Sequence, residues 1–321
     1  MLTYAFRRLL GMIPLMILVS VVVFSLAKLM PGDALMGKID PKNSSPQYIA
    51  EMREKLGYNQ PILTQYWSWI KHVLQGDLGQ SFVHKKPVGA IIAERIPNTL
   101  LLMLLSLCIT YSLSIAMGMY AGRRPNRLGD HFILSLNYVA YSIPTFVAAI
   151  AAIYVFSFKL GWVPASGSIG IGLDEGSFSY YISKLKYAIL PSLVLGLFST
   201  AAYTQFLRNE IMENSRKDYV RTAMAKGTKL SRIYSVHIFQ NSLIPLITFL
   251  GFDIGALLSG TVVVETIFTY PGIGQLVIQS VNSRDYSVLM SVMMLLSFMT
   301  LIGNLIADLL YGLVDPRIRL D

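Results

Sequence analysis

Six stretches of this chain, residues 9–29, 99–121, 131–158, 187–207, 242–264 and 288–310, are almost continuously apolar. Each reaches the length of about 20 residues that a helix needs to cross the hydrocarbon of a bilayer. Backbone amides and carbonyls find no water there, so the structure open to such runs is a helix that satisfies its own hydrogen bonds. The expected fold is therefore all-α, a polytopic membrane protein with six transmembrane helices. Composition agrees, since 14% of the 321 residues are charged and the mean hydropathy is +0.53, against about 25% charged residues in soluble domains. Residues 1–30 would hold the first span, 31–97 an extracytoplasmic helical segment, and 98–321 the other five spans with a cytoplasmic loop at 209–240.

The net charge of +9 is one that a nucleic-acid binder would carry, but the basic residues sit between apolar runs and form no single face. They read as topology, with no nucleic acid as partner. With the N-terminus inside, one cytoplasmic loop holds Arg123, Arg124 and Arg127, and the next holds Arg208, Arg216, Lys217, Arg221, Lys226, Lys229 and Arg232. The short external loops hold Lys159, Lys184 and Lys186, then Arg284. Such asymmetry is the positive-inside pattern, and it puts both termini in the cytoplasm, with Arg317 and Arg319 in the tail. The first window follows Arg7 and Arg8, and Ser25-Leu26-Ala27 resembles a signal cleavage site. Its apolar core is longer than the roughly 7–15 residues of a signal peptide, which makes it an uncleaved span in a multi-pass protein of the cell membrane.

Cys108, the single cysteine, lies within an apolar run and is expected to be a small core residue. The four histidines, His72, His84, His131 and His237, show no metal-binding spacing, so no metal site is expected. Nor is there a GxxxxGK[ST] loop, because Gly227-Thr228-Lys229 lacks the preceding glycine; ATP hydrolysis would belong to another chain. In the external segment, Ser45-Pro46 suits a helix start that would run to Gly57. A second helix from Pro61 would place Ile62, Tyr66, Trp69, Ile70, Val73 and Leu74 on one face before Gly76. Both would pack on the outer mouth of the bundle, either as a stabilising cap or as a docking surface.

The loop DYVRTAMAKGTK, residues 218–229, interrupts the apolar runs with a short helix, a glycine and a second helix. Asp218 is placed to cap a helix over 219–226, Gly227 to end it left-handed, and Thr228 to cap the helix that leads into the fifth span. Two turns are marginal in water without tertiary support. Two readings stand on the residues alone: a basic amphipathic helix against anionic headgroups, or a knob that seats in a cytoplasmic partner.

Tyr219-Val220-Arg221-Thr222-Ala223-Met224-Ala225-Lys226-Gly227, followed by His237 and Asn241, resembles the cytoplasmic EAA loop of binding-protein-dependent ABC importers. Arg221-Thr222-Ala223 stands where the general pattern has Glu-Ala-Ala, and Gln240 where it has proline. Those departures are similar to the B-type permeases of oligopeptide, dipeptide and nickel importers. So are PGD at 31–33, QP at 60–61, GDLGQS at 76–81, ERIPNTL at 94–100, VVVETIFTYPGIG at 262–274, RDY at 284–286 and DPRIR at 315–319.

The resemblance spans the chain and implies a type I ABC importer permease with N-in/C-in topology, half of a path for oligopeptides or dipeptides. It implies no catalysis and no cofactor in this chain. Implied partners are a second homologous permease, two cytoplasmic ABC ATPases that use ATP and Mg, and an extracytoplasmic substrate-binding protein, in addition to lipid and the peptide itself. Asp218, Tyr219, Arg221, Ala223, Lys226 and Gly227 would couple to the ATPase. Nickel or a nickel chelate is the alternative cargo, and a proton-coupled secondary transporter the alternative mechanism.

Within the spans, Asp253 is the ionisable residue expected to face the translocation path or to pair with the sister subunit, and Gly251 and Gly255 flank it with a small face for helix packing. Glu265 and Tyr270 are expected to form an outer gate or to meet the binding protein. Pro144 is placed to kink the third span. Gln205, Arg208, Asn304 and Asp308 would reach water or headgroups at span ends.

Overall fold

The computed structural model describes residues 2–29, 45, 47–48, 51, 54 and 59–314. The stretches at 31–33 and 315–319, the tail residues Arg317 and Arg319, and most of the helix expected over 46–57 lie outside the described residues. Ser45 does accept a hydrogen bond from the Tyr48 amide at 3.3 Å, the geometry of a helix N-cap.

The helices are α1 (Leu2–Leu29), α2 (Ile62–Leu74), α3 (Val88–Arg123), α4 (Leu128–Ser142), α5 (Thr145–Ala152), α6 (Phe178–Asn214), α7 (Asp218–Ala225), α8 (Leu230–Arg232), α9 (Phe239–Ile267), α10 (Ile273–Ser283) and α11 (Tyr286–Val314). A π-helical stretch, Ile153–Lys159, extends α5, and another, Ile233–Ile238, joins α8 to α9. Five helices among the described residues are long and apolar enough to cross a membrane, and α4 with the α5 extension makes a sixth if counted as one span. That pair bends by 98°, so Pro144 does more than kink a continuous third span. Lacking an amide hydrogen, it stands at the N-terminal end of α5, where its carbonyl accepts from Val147 and Ala148 at 3.0 and 3.2 Å.

The central pair is α3 and α6. Ser106, Thr110, Ser114, Gly118 and Gly122 recur every fourth residue along the buried edge of α3, and α6 answers with Ser192, Gly196, Thr200 and Thr204. Small side chains let the backbones approach closely. Thr110 Oγ1 donates to the Gly196 carbonyl at 3.1 Å, and a Cβ on Gly196 would lie 2.8 Å from Ile109 Cγ2. Cys108 is two positions past Ser106, about 200° round the helix, and is exposed, which corrects its expected place in the core.

A second close pair, α9 with α11, meets at Gly251 and Gly255. A side chain on Gly251 would run into the backbone of Ala307, and one on Gly255 would lie 3.0 Å from Thr300 Cα. α1 lies along α11 with Ser20 and Phe24 buried and most of its other side chains exposed, as suits a helix facing lipid. α2 rests on the end of α1, where Phe24 meets Tyr66 and Trp69 at ring distances of 5.5 and 5.7 Å. Tyr66, Trp69, Ile70 and Val73 are half-buried as expected, whereas Ile62 and Leu74 are exposed. The two ends of α2 overhang its contact with α1.

Candidate functional site

α7 sits at the end of the bundle where α3 and α6 finish. Val220 is fully buried and Ala223 nearly so, both packed among Leu207, Ile211, Ile233 and Ile238. Burying a valine is worth about 1.5–3 kcal/mol, which supplies the tertiary support that a two-turn helix needs. The opposite face presents Asp218, Arg221, Thr222, Met224 and Lys226 to solvent.

The termini of α7 differ from expectation at one end and match it at the other. Asp218 does not cap the helix; it is the first helical residue and its exposed carboxylate meets Arg221 at 3.6 Å. Thr228 likewise makes no cap, and Lys229 holds the position before α8. Gly227 does end α7 with φ of +72°. Its amide donates to the Met224 carbonyl at 2.9 Å and the Thr228 amide to the Ala223 carbonyl at 3.2 Å. That pair of bonds is the Schellman motif, which requires a left-handed residue after the helix.

Of the six residues expected to couple, the structure leaves Asp218, Arg221, Lys226 and Gly227 on the free face or edge and turns Ala223 inward. Tyr219 is half-buried. Its hydroxyl donates to Asn214 Oδ1 at 3.0 Å, and Asn214 Nδ2 donates to Ser242 Oγ at 3.2 Å, so α7 is tied to the ends of α6 and α9. Burial pushes the Tyr219 phenol above its usual range.

At the opposite end, the stretches 94–100 and 262–274 interlock. Glu265 is fully buried. Its carboxylate accepts from Thr99 Oγ1 at 2.9 Å and from the Gln275 amide at 3.0 Å. Thr99 Oγ1 in turn accepts from the Ile273 amide at 2.8 Å, and Asn98 Nδ2 donates to the Pro271 carbonyl at 2.8 Å. A carboxylate at the first turn of α10 answers both its free amides and its dipole. Gly272 is needed here, because a Cβ would fall on the Glu265 carboxyl. Tyr270 is also fully buried, and its hydroxyl has no partner among the described residues; burial, then the Glu265 charge, pushes that phenol up. Neither Glu265 nor Tyr270 presents its side chain at the surface.

Stretches 76–81 and 284–286 meet in the same layer. Asp285 accepts from Ser81 Oγ and caps α11 through the Val288 amide at 3.4 Å. Below lies Asp253, which accepts from the Tyr111 hydroxyl at 2.6 Å and from the Tyr203 hydroxyl, while the two rings stack 5.5 Å apart. Its polar partners thus come from α3 and α6 of this chain.

Two of the residues expected to reach water or headgroups at span ends are held in ion pairs, and for Arg208 this corrects the expectation. Arg208 grips the fully buried Asp130 side chain with two bonds, Nε to Oδ1 at 2.6 Å and Nη2 to Oδ2 at 2.7 Å. Asp308 pairs with Arg8 at 2.9 Å, joining α11 to α1. Among the described residues, no group of three or more His, Cys, Asp and Glu side chains is placed to hold a metal ion.

Comparison with known proteins identifies the family. The family described as "Binding-protein-dependent transport system inner membrane component" matches residues 114–320, and its N-terminal companion matches residues 1–103. The chain is similar to the oligopeptide transport system permease protein AppB of Bacillus subtilis (strain 168), 38% identical over 99% of this chain and 100% of the relative. A putative peptide transport system permease of Brucella abortus (strain 2308) is 36% identical over 98% of each chain. The glutathione transport system permease protein GsiC of Salmonella paratyphi A is 37% identical over 99% of each chain. Polytopic helices, full-length similarity and the family match agree: the chain belongs to the binding-protein-dependent transport system inner membrane components, the membrane permease subunits of ABC importers.

Proposed function

We propose that this chain forms half of a peptide translocation path and takes its driving force from a separate ATPase through α7. The observation that carries the reading is the division of α7 into a buried face, Val220 and Ala223, and an exposed face with Arg221, Met224 and Lys226. Any surface helix has a polar face, but this helix also exposes Met224 (49%) between Arg221 and Lys226. A helix that transmits motion needs rigid attachment on one side and a partner on the other.

Two cytoplasmic ABC ATPases, with ATP and Mg bound between them, are the proposed partners of that face. A second, homologous permease closes the path, and an extracytoplasmic binding protein delivers cargo. Both ends of the chain lie in the cytoplasm, as does α7. Peptide cargo is favoured by the relatives, named for oligopeptides, peptides and glutathione. These compounds share an amide backbone, an ammonium and a carboxylate.

The test is uptake of labelled peptides by proteoliposomes containing the assembled complex, with ATP inside and the binding protein outside. ATP-dependent accumulation is expected. Accumulation of a nickel chelate in place of peptides would change the cargo and keep the mechanism. Uptake driven by a proton gradient without ATP would overturn it.

A further inference from the structure

Next to the seat of α7 lies a cleft of about 450 Å³ lined by Arg123, Arg124, Pro125, Arg127, Leu230 and Tyr234. Three guanidiniums line one cavity, and among the described residues none of them meets a carboxylate. Arg123 stands over the Tyr234 ring at 5.1 Å and Arg124 over Tyr120 at 5.3 Å, so two of the three are held by aromatic faces with their donors left for a ligand. The nearest acid along the chain, Asp130, is occupied by Arg208 and the Asn126 amide.

The surroundings indicate where the ligand comes from. The cleft lies between the end of α3 and the start of α4. Directly after it Leu128 and Phe132 are 89% and 70% exposed, and Tyr120 is exposed beside it. Bare apolar side chains, an aromatic and clustered arginines at the end of a span mark a membrane interface. Basic pockets between helices at the cytoplasmic face suit anionic lipid headgroups, and arginine matches phosphate with a planar fork of donors.

We infer that this cleft binds the phosphate of an anionic phospholipid headgroup, and that the bound lipid braces the coupling loop. The brace runs through Tyr234, which lines the cleft and packs against the cluster that seats Val220 and Ala223. The inference relies on this end being cytoplasmic, as proposed above, and holds whichever substrate is carried.

The test is native mass spectrometry with phosphatidylglycerol of the purified permease, with and without its ATPase subunits, comparing wild type with the R123Q/R124Q/R127Q variant. Three basic groups near an anionic headgroup contribute on the order of a hundredfold in affinity, and the variant should lose most of that. A control variant, K159Q/K184Q/K186Q, removes equal charge elsewhere and should stay within about twofold. R123K/R124K/R127K keeps the charge and should recover only part, because the fork is gone.

Full recovery by the lysine variant would reduce the site to diffuse attraction and overturn the inference. So would equal binding by all variants, or inorganic phosphate binding the cleft as tightly as the lipid. Displacement of the lipid when the ATPase subunits dock would assign the arginines to acidic residues of the partner and also overturn it. Loss of peptide transport with lipid binding intact would count against the transport reading and leave this one standing.

Discussion

Thr99 and Glu265, 166 residues apart, meet at 2.9 Å and together hold the first turn of α10. The threonine oxygen donates to the carboxylate and accepts from the Ile273 amide, while the carboxylate also accepts from the Gln275 amide. A buried carboxylate in that position is a cap supplied from another helix. Hydrogen bonds to charged groups contribute about 1.5–3 kcal/mol each. Glu265→Gln should therefore destabilise the protein by about 2 kcal/mol, because its amide nitrogen would confront a donor. Thermal unfolding in detergent would measure this; an unchanged midpoint would mean that Glu265 does not hold α10.

Thr269, close to that cap, adopts φ of +47°. A β-branched residue is poorly suited to the left-handed region, at a cost of roughly 1–2 kcal/mol. Thr269→Gly should raise stability by about 1 kcal/mol, the relief being partly offset by the greater freedom of glycine in the unfolded chain. A lower melting midpoint for this variant would show that the threonine side chain makes a compensating contact.

Much of the fold was legible because membrane spans announce themselves by length and polarity. The spans now occupied by α1, α3, α6, α9 and α11 were each visible as an apolar run. The right-angle break at Ser142 to Pro144 was not, since apolar runs on either side of a proline look the same whether the helix kinks or turns away. In the loop at 218–229, Gly227 is readable from its special backbone, whereas residue type points to Asp218 and Thr228 as caps and neither acts so. The motif stretches 76–81, 94–100, 262–274 and 284–286 were visible as stretches. That they interlock, Ser81 with Asp285 and Thr99 with Glu265, depends on tertiary proximity, which residue spacing does not encode. Asp130 with Arg208 was hidden for the same reason, as was the every-fourth-residue match between α3 and α6.

Asp130 and Arg208 form a bidentate pair whose carboxylate is fully buried. Removing one partner of a buried pair leaves a charge without compensation, a loss of about 3 kcal/mol or more. Arg208→Met and Asp130→Leu should each lower yield and melting temperature sharply, and the double variant should regain part of the loss. Additive losses in the double variant would argue that the two residues act independently.

Gly251 approaches Ala307 so closely that any side chain collides with backbone, whereas a Cβ on Gly11 would meet nothing within 4 Å. Overpacking of this kind costs about 1–3 kcal/mol. Gly251→Ala should destabilise the α9 to α11 contact and Gly11→Ala should be close to neutral, as read by thermal unfolding of the two proteins side by side. Equal midpoints would place the α9 to α11 contact elsewhere.

The division of α7 into two faces makes the sharpest functional prediction. Val220→Asp puts a charge into the cluster with Leu207, Ile211, Ile233 and Ile238, so it should unseat the helix and lower both stability and assembly with the ATPase. Arg221→Glu acts on a side chain that is 78% exposed and pairs only weakly with Asp218, so the permease itself should fold normally. If α7 transmits force, that second variant should keep its melting temperature and lose ATP-driven peptide uptake by about tenfold or more, the loss expected when a charge at a close interface contact is reversed. ATP hydrolysis measured in the same vesicles separates two ways of failing. Continued hydrolysis without uptake would mean that the ATPase is seated but the motion is not passed on. Loss of both would mean that Arg221 holds the ATPase in place. Normal uptake with normal hydrolysis would remove the free face of α7 from the coupling path.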